Sequence, residues 1–416
     1  MATRRSHKKS RNGCTECKRR KVKCDEKRPS CFNCTRLSVL CSLRPAESLS
    51  AHTSPSVISS ISPPVEGVAL TTNESGPATS VDFTQLAIAT DADRPLPFSS
   101  PAWGRELELM HHYSTCTYKT LALRSDMQYV WKTVIPEEGY NNPFVMHGLL
   151  ALSAAHKAYL LPSERETYLS ISAYHQSLGL EAFRPLLSEI SKDNWKPMFC
   201  YASTVALYAC LLPARLDKAK ASAPIAEILE LFRFVRGIQL VLQPFVEFLP
   251  MTRFSPLVQG VWIMNPCQME ECEPSLEESL LPKDIFEKLA KLRSFLQSNM
   301  PFTSIPDYEA AVSELVNATK LIGHAGLHVE CGMVLFWPYV ISETILNDIQ
   351  ALDPYALLLL SHYIVLLMVM EARFWFIKGW GIRLLADINV QLSNCQPFID
   401  IVKWPSEQVY NLYKYQ

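Results

Sequence analysis

From Gly104 to the C-terminus, apolar side chains recur every three or four positions, the period of a helix with one buried stripe. Residues Arg105–Arg124 place Leu107, Met110, Tyr113, Tyr118 and Leu121 near one such stripe. The same spacing predicts helices over Phe144–Leu161, Glu164–Ile190, Trp195–Leu212, Ile225–Phe248, Leu281–Gln297, Ala310–Ile322, Met333–Ile349 and Pro354–Asn394. Strict apolar–polar alternation bounded by turn residues is scarce, so strands are not expected. Pro143, Pro162, Pro301, Pro338 and Pro354 punctuate or kink the helices. The expectation is one all-α domain over 104–416 whose apolar helices bury one another. The run Tyr355–Met370, broken only by Ser361 and His362 and flanked by Asp353 and Glu371, is shorter than the ~20 residues of a membrane span and reads as a buried helix.

Before Gly104 the pattern is different. Residues 45–101 are rich in Ser, Pro, Thr and Ala, with no Lys or Arg between Arg44 and Arg94. Seven prolines from Pro55 to Pro101 break any helix, and no heptad repeat is present. This stretch reads as a disordered linker. The formal net charge of −1 conceals a strong asymmetry, because residues 1–45 carry 14 Lys and Arg against 3 acids and the remainder 26 against 38. A basic arm over 1–13 joined to an acidic body suits a nucleic-acid-binding module on a separate domain. That arm has no apolar stretch of a secretory signal, so its neighbouring thiols are expected reduced, and clustered thiols then suggest metal.

Six of the 13 cysteines occupy residues 14–41 with the spacing Cys14-x2-Cys17-x6-Cys24-x6-Cys31-x2-Cys34-x6-Cys41. The unit C-x2-C-x6-C occurs twice, offset by 17 residues. Zinc in a structural site takes four tetrahedral ligands, so six thiolates serve two Zn2+ if two sulfurs are shared. So short a segment has no ordinary core, and metal binding supplies its folding free energy, on the order of 10 kcal/mol or more per site. The run Lys18-Arg19-Arg20-Lys21-Val22-Lys23 falls inside the first repeat and presents cations on a short helix that fits a major groove.

The six spacings, this basic run and Pro29 between the halves resemble the fungal binuclear zinc-cluster (Zn2Cys6) DNA-binding domain. The resemblance implies a small cluster module joined by the linker to the all-α regulatory domain. It implies that Cys14 and Cys31 bridge the metals, that Arg20 and Lys21 contact bases with Lys18 next, and that Arg19, Lys23, Lys27, Arg28 and the arm meet phosphate. It further implies a CGG-like triplet in double-stranded DNA and control of RNA polymerase II genes through the transcription machinery in the nucleus, for which the basic arm over 1–13 is a candidate localisation signal.

The body lacks catalytic motifs: no G-x-S-x-G, P-loop or H-E-x-x-H, and Gly379-Trp380-Gly381 is followed by Leu384 where a dinucleotide fingerprint needs its third glycine. Its dispersed histidines, His111-His112, His147 and His156, read as core residues. The segments Cys331–Val340 and Ala372–Gly381, with Glu106–Tyr113 and Val145–Ser153, are similar to the regulatory domain of the sterol uptake control regulators. That resemblance implies a pocket for a sterol or terpenoid, with Trp337, Phe374, Trp375 and Trp380 as candidate ligand contacts, and control of nuclear entry, the protein staying cytoplasmic when held inactive. Apart from the resemblance, the expectation is a monomer on DNA through the cluster, with any homodimer made through the helical domain. The same aromatic residues equally serve as core filling. The expected function is a sequence-specific transcription regulator of a secondary-metabolite gene cluster; the alternatives are a sterol-responsive activator of lipid genes, a chromatin adaptor and a zinc-containing enzyme.

Overall fold

The structure, a computed structural model, describes residues 13–19, 22, 24–28, 31, 33–34, 41–42, 102–215, 223–258, 274–393 and 395–414. The basic arm and the expected linker lie outside the described residues. The chain divides into two units, residues 1–77 and 78–416. Among its described residues the first holds the short helix α1 (Thr15–Arg19), a helical stretch at Asn33 and Cys34, and the cysteine cluster.

The second unit is all helix and turn, with no strand among the described residues. Its longer helices are α2 (Ala102–Thr115), α3 (Pro143–Leu160), α4 (Arg165–Phe183), α5 (Trp195–Cys210), α6 (Pro224–Leu242) and α7 (Ile285–Asn299). They continue with α8 (Ile305–Ala325), α9 (Cys331–Val340), α10 (Glu343–Gln350), α11 (Pro354–Glu371), α12 (Trp380–Leu392) and α13 (Phe398–Lys414).

Helix α11 is the axis of this body. Asp353 caps it, its carboxylate accepting from the backbone N–H of Tyr355 at 2.9 Å and Ala356 at 3.2 Å, while Pro354 starts the first turn with no N–H to leave unsatisfied. Every residue from Ala356 to Glu371 is buried. A helix that is apolar all round requires partners on every side, and α11 packs against α7, α8, α9, α10, α12 and α13. By length and composition it is one helix that could cross a membrane, yet it is enclosed by protein.

Several expected helices are divided. Met333–Ile349 becomes α9 and α10, because Ile341 is extended and Ser342 caps a new helix through Ile345 N–H. Pro354–Asn394 becomes α11 and α12, separated by a turn over Trp375–Ile377 and by Gly379 at φ +95°. The Glu371 carboxylate closes that joint, accepting from Gly379 N–H at 2.9 Å and Gly381 N–H at 2.5 Å. The helix from Ile225 stops at Leu242, ahead of Pro244, and the helices from Arg105 and Glu164 each give way to tighter turns at Thr117 and Arg184. Leu107 is exposed, and Leu109 occupies the buried stripe of α2 instead. Helix α13, interrupted in sequence by Pro405, was not foreseen; it packs on α11 and α12.

Helices α3, α4 and α5 meet around Tyr201, whose ring contacts Phe144 and Phe183 at centroid distances of 5.6 and 4.8 Å. Gly179 makes room for it: a Cβ there would sit 2.5 Å from the Tyr201 hydroxyl. In contrast, a Cβ on Gly237 of α6 would meet nothing within 4 Å. Gly179→Ala is therefore expected to lower stability by about 1–3 kcal/mol through overpacking, whereas Gly237→Ala raises it by up to about 1 kcal/mol; thermal melts of both variants check this pair.

One acid links distant parts of the body. Glu330 is buried, and its Oε1 accepts from the backbone N–H of Leu123 at 2.9 Å and Arg124 at 2.5 Å. Burial pushes its carboxyl up to about 7, against the opposing pull of those two N–H groups. A carboxyl raised in the folded state binds a proton more tightly there than in the unfolded chain, so its contribution is complete at acid pH and fades as pH rises through about 7. The wild-type protein should lose stability relative to Glu330→Gln between the ordinary carboxylate range and about pH 7, as measured by denaturant titrations across that window; parallel curves would contradict it.

Candidate metal centre and nucleic-acid interface

The six cysteines of residues 14–41 are all buried, at 6% exposure or less. Their sulfurs form two four-membered sets, Cys14, Cys17, Cys24, Cys31 and Cys14, Cys31, Cys34, Cys41, with ligand atoms in each set within 4.8 Å of one another. Cys14 and Cys31 belong to both sets. The Sγ of Cys14 lies 3.7 Å from that of Cys31 and 3.5 Å from that of Cys34, and Cys17 Sγ lies 3.6 Å from Cys31 Sγ. These thiols are free, not disulfide-bonded.

The sequence repeat becomes a repeat of hydrogen bonds. Cys14 N–H donates to the Cys24 sulfur at 3.4 Å, and Cys31 N–H donates to the Cys41 sulfur at the same distance. Within each C-x2-C pair the second cysteine's N–H turns toward the first one's sulfur, Cys17 to Cys14 at 3.3 Å and Cys34 to Cys31. Such N–H donors favour thiolate over thiol. Glu26, in the left-handed region at φ +55°, aims its own N–H at the Cys24 sulfur. Thr15 N–H donates to the Ser42 hydroxyl at 2.9 Å, joining the two ends of the module. Ser42 was not foreseen; its only mark in sequence is its place directly after the last cysteine.

Burial, reinforced by hydrogen bonds from neighbouring sulfurs, pushes the Cys17 thiol up to about 12 and raises Cys34 as well. Packed thiols of this kind ionise only beside a compensating cation, and a coordinating metal deprotonates them outright. An all-sulfur donor set in two overlapping groups of four fits zinc, which takes four thiolates in closed structural sites. Calcium or magnesium, which prefer oxygen, do not suit it.

Helix α1 opens directly after Cys14, whose carbonyl accepts from Lys18 N–H at 3.0 Å, and the chain turns back where Val22 N–H meets the Cys17 carbonyl at 3.1 Å. Lys18 and Arg19 stand exposed on this helix, and Lys27 and Arg28 are exposed in the following loop. Arg20, Lys21 and Lys23 lie outside the described residues. The sulfurs thus hold a short cationic helix on the outside of the cluster, a form that can approach a duplex.

The four aromatic candidates in the body divide. Trp337 and Trp380 are fully buried and donate their indole N–H groups to the carbonyls of Ala311 at 2.9 Å and Cys210 at 2.8 Å. Phe374 is buried beside Phe376. Trp375 alone of the four reaches a surface groove. Of the histidines expected in the core, His156 is buried, His112 and His147 are half-buried, and His111 stands exposed on the outer side of α2. His156 accepts or donates with Thr117 Oγ1 at 3.1 Å, and His147 meets His175 at 3.0 Å between Nδ1 atoms.

Comparison with known proteins gives two family matches, the fungal Zn(2)-Cys(6) binuclear cluster domain over residues 12–49 and the fungal specific transcription factor domain over residues 108–212. A Zn(2)-C6 fungal-type transcription factor of Gibberella zeae is 26% identical over 425 residues, covering 90% of this chain and 80% of the relative. The Zn(2)-C6 fungal-type transcription factor afumD of Aspergillus fumigatus is 24% identical, covering 86% of each chain. Sterol uptake control protein 2 of Candida albicans is 63% identical over only 38 residues, or 9% of this chain and 5% of the relative. Residues 12–49 thus carry a fungal Zn(2)-Cys(6) binuclear cluster domain that displays a basic helix, residues 108–212 a fungal specific transcription factor domain, and the chain is similar along most of its length to Zn(2)-C6 fungal-type transcription factors, which supports a DNA-binding regulator of transcription.

Proposed function

We propose that the chain binds two Zn2+ through Cys14, Cys17, Cys24, Cys31, Cys34 and Cys41, with Cys14 and Cys31 shared, and reads a CGG-like triplet through the exposed side of α1. The observation that carries this reading is the membership of Cys14 and Cys31 in both four-sulfur sets. Bound zinc supplies the tetrahedral centres that make the small module fold. Arg20 and Lys21, with Lys18, reach guanine O6 and N7 in the major groove. Arg19, Lys23, Lys27, Arg28 and the basic arm 1–13 neutralise phosphates and set the register.

Residues 14–41 serve as the DNA-binding domain, 45–101 as a linker, and 104–416 as a regulatory domain without catalytic function. The body makes contacts with the transcription machinery and with a second copy of the chain. The place of action is the nucleus, as is usual for regulators that bind chromosomal DNA through such a cluster. Its targets are the genes of a secondary-metabolite cluster. The likeness to the sterol uptake protein is confined to 38 residues and so lends sterol genes no support from the body, whose matched relatives carry only the general transcription factor name.

Cys31→Ala leaves both sulfur sets with three members, whereas Cys17→Ala leaves one set whole. Zinc analysis of the two variants should show the greater loss in Cys31→Ala, together with loss of specific binding in a mobility-shift assay; retained specific binding would contradict the cluster reading. Arg20→Ala or Lys21→Ala should cost about 1–3 kcal/mol on the preferred triplet and relax its specificity, while Lys27→Ala should weaken all duplexes alike and reduce the salt slope by about one. Binding isotherms on matched and scrambled duplexes at several salt concentrations check both.

A further inference from the structure

The C-terminal turns of α3, the start of α4 and the turn after α11 enclose a groove of about 200 Å³. Ala155 and Ala158 of α3 line it, their small side chains leaving space where longer ones would fill it. Two aromatic rings form one wall: Tyr159 and Trp375, 5.5 Å apart at an interplanar angle of 32°. The wall is fixed in place. Trp375 donates its indole N–H to Thr120 Oγ1 at 2.9 Å and stacks on His156 at 4.8 Å. Tyr159 is 49% exposed, so its ring is open to a molecule entering the groove.

The charged residues lining this groove are Arg165 and Lys378, and no carboxylate lines it. Arg165 also pairs with Glu166, 3.9 Å away and 81% exposed, outside the groove lining. The groove therefore joins an apolar, aromatic floor to a cationic rim. Its volume falls below the ~300–1,000 Å³ of sites for drug-sized ligands, so its occupant is compact and a tetracyclic sterol does not fit whole. Guanidinium and ammonium groups recognise a carboxylate, and arginine does so in a two-point geometry.

We propose that the groove is an effector site for a small ring-bearing organic carboxylate, its ring on Trp375 and its carboxylate between Arg165 and Lys378. This deepens the reading of residues 104–416 as a regulatory domain by naming the class of molecule sensed. It does not depend on the cluster, so DNA binding by the chain is unaffected by whether this site exists.

The probe pair is adamantane-1-carboxylate and 1-adamantanemethanol, equal in shape and different in charge, titrated by calorimetry into the full-length zinc-loaded protein. The carboxylate should bind one per chain and at least tenfold more tightly than the alcohol, with the difference shrinking as salt rises. The Arg165→Met, Lys378→Met double variant should bring the two affinities within about twofold while leaving the alcohol's unchanged. Tyr159→Ala should weaken both probes. Equal or tighter binding of the alcohol to the wild type would overturn the anionic assignment, and a preference that survives the double variant would place it elsewhere. Failure of both probes to bind at millimolar concentration would leave a surface groove with no ligand of this class. The salt series on wild-type protein tests the charge term even if the double variant misfolds.

Discussion

Six buried sulfurs drawn to within a few ångströms of one another are the constraint on which the rest depends. Thiols crowded in this way repel one another once ionised and gain little from packing while neutral, as the raised Cys17 and Cys34 groups indicate. A divalent cation resolves the conflict. It turns the crowding into coordination and ties together two loops that lack a hydrophobic core. The backbone donors around the cluster, repeated in each half, then orient the sulfurs as outer-shell partners orient the ligands of other metal sites. Helix α1 has only five residues and no stability of its own, so its exposed cations hold a fixed direction only because Cys14 and Cys17 anchor it.

The body obeys a different physics. Its stability comes from apolar helices around α11, and its polar groups work at the joints. Asp353 starts α11, Glu371 links its end to α12, and Glu330 fastens the segment at Leu123 and Arg124 to the start of α9. Each is a buried or capping carboxylate accepting backbone N–H groups that would otherwise lack partners. The turn at Trp375–Ile377, set between α11 and α12, brings one aromatic ring to a surface that its neighbours Phe374 and Phe376 do not reach.

The cluster was legible in sequence because metal coordination imposes local, countable spacing: two sets of four from six cysteines follow from C-x2-C-x6-C repeated. The helices of the body were legible because amphipathic period survives without knowledge of the neighbours. What was not legible depends on those neighbours. The breaks at Ile341–Ser342 and after Glu371 occur inside continuous apolar stretches, where no change of period marks them. Pro405 hid α13, and the stripe expected for α2 extends to Leu107, three residues before Met110, whereas the buried face takes Leu109, four residues before Tyr113. Composition alone could not separate Trp375 from Trp337 and Trp380, since all three are tryptophans in apolar surroundings and only tertiary packing decides which one lines a groove. Arg165 and Lys378 gave no signal, being single cations more than two hundred residues apart in the chain.

Native mass spectrometry of the full-length protein, purified under reducing conditions, tests the central claim most directly. The account predicts a chain heavier than its apo mass by two zinc ions, with both ions leaving together as the chelator concentration rises because the two sites share sulfurs. A single ion at saturation, or a mass lowered by disulfide formation with no metal bound, would contradict it.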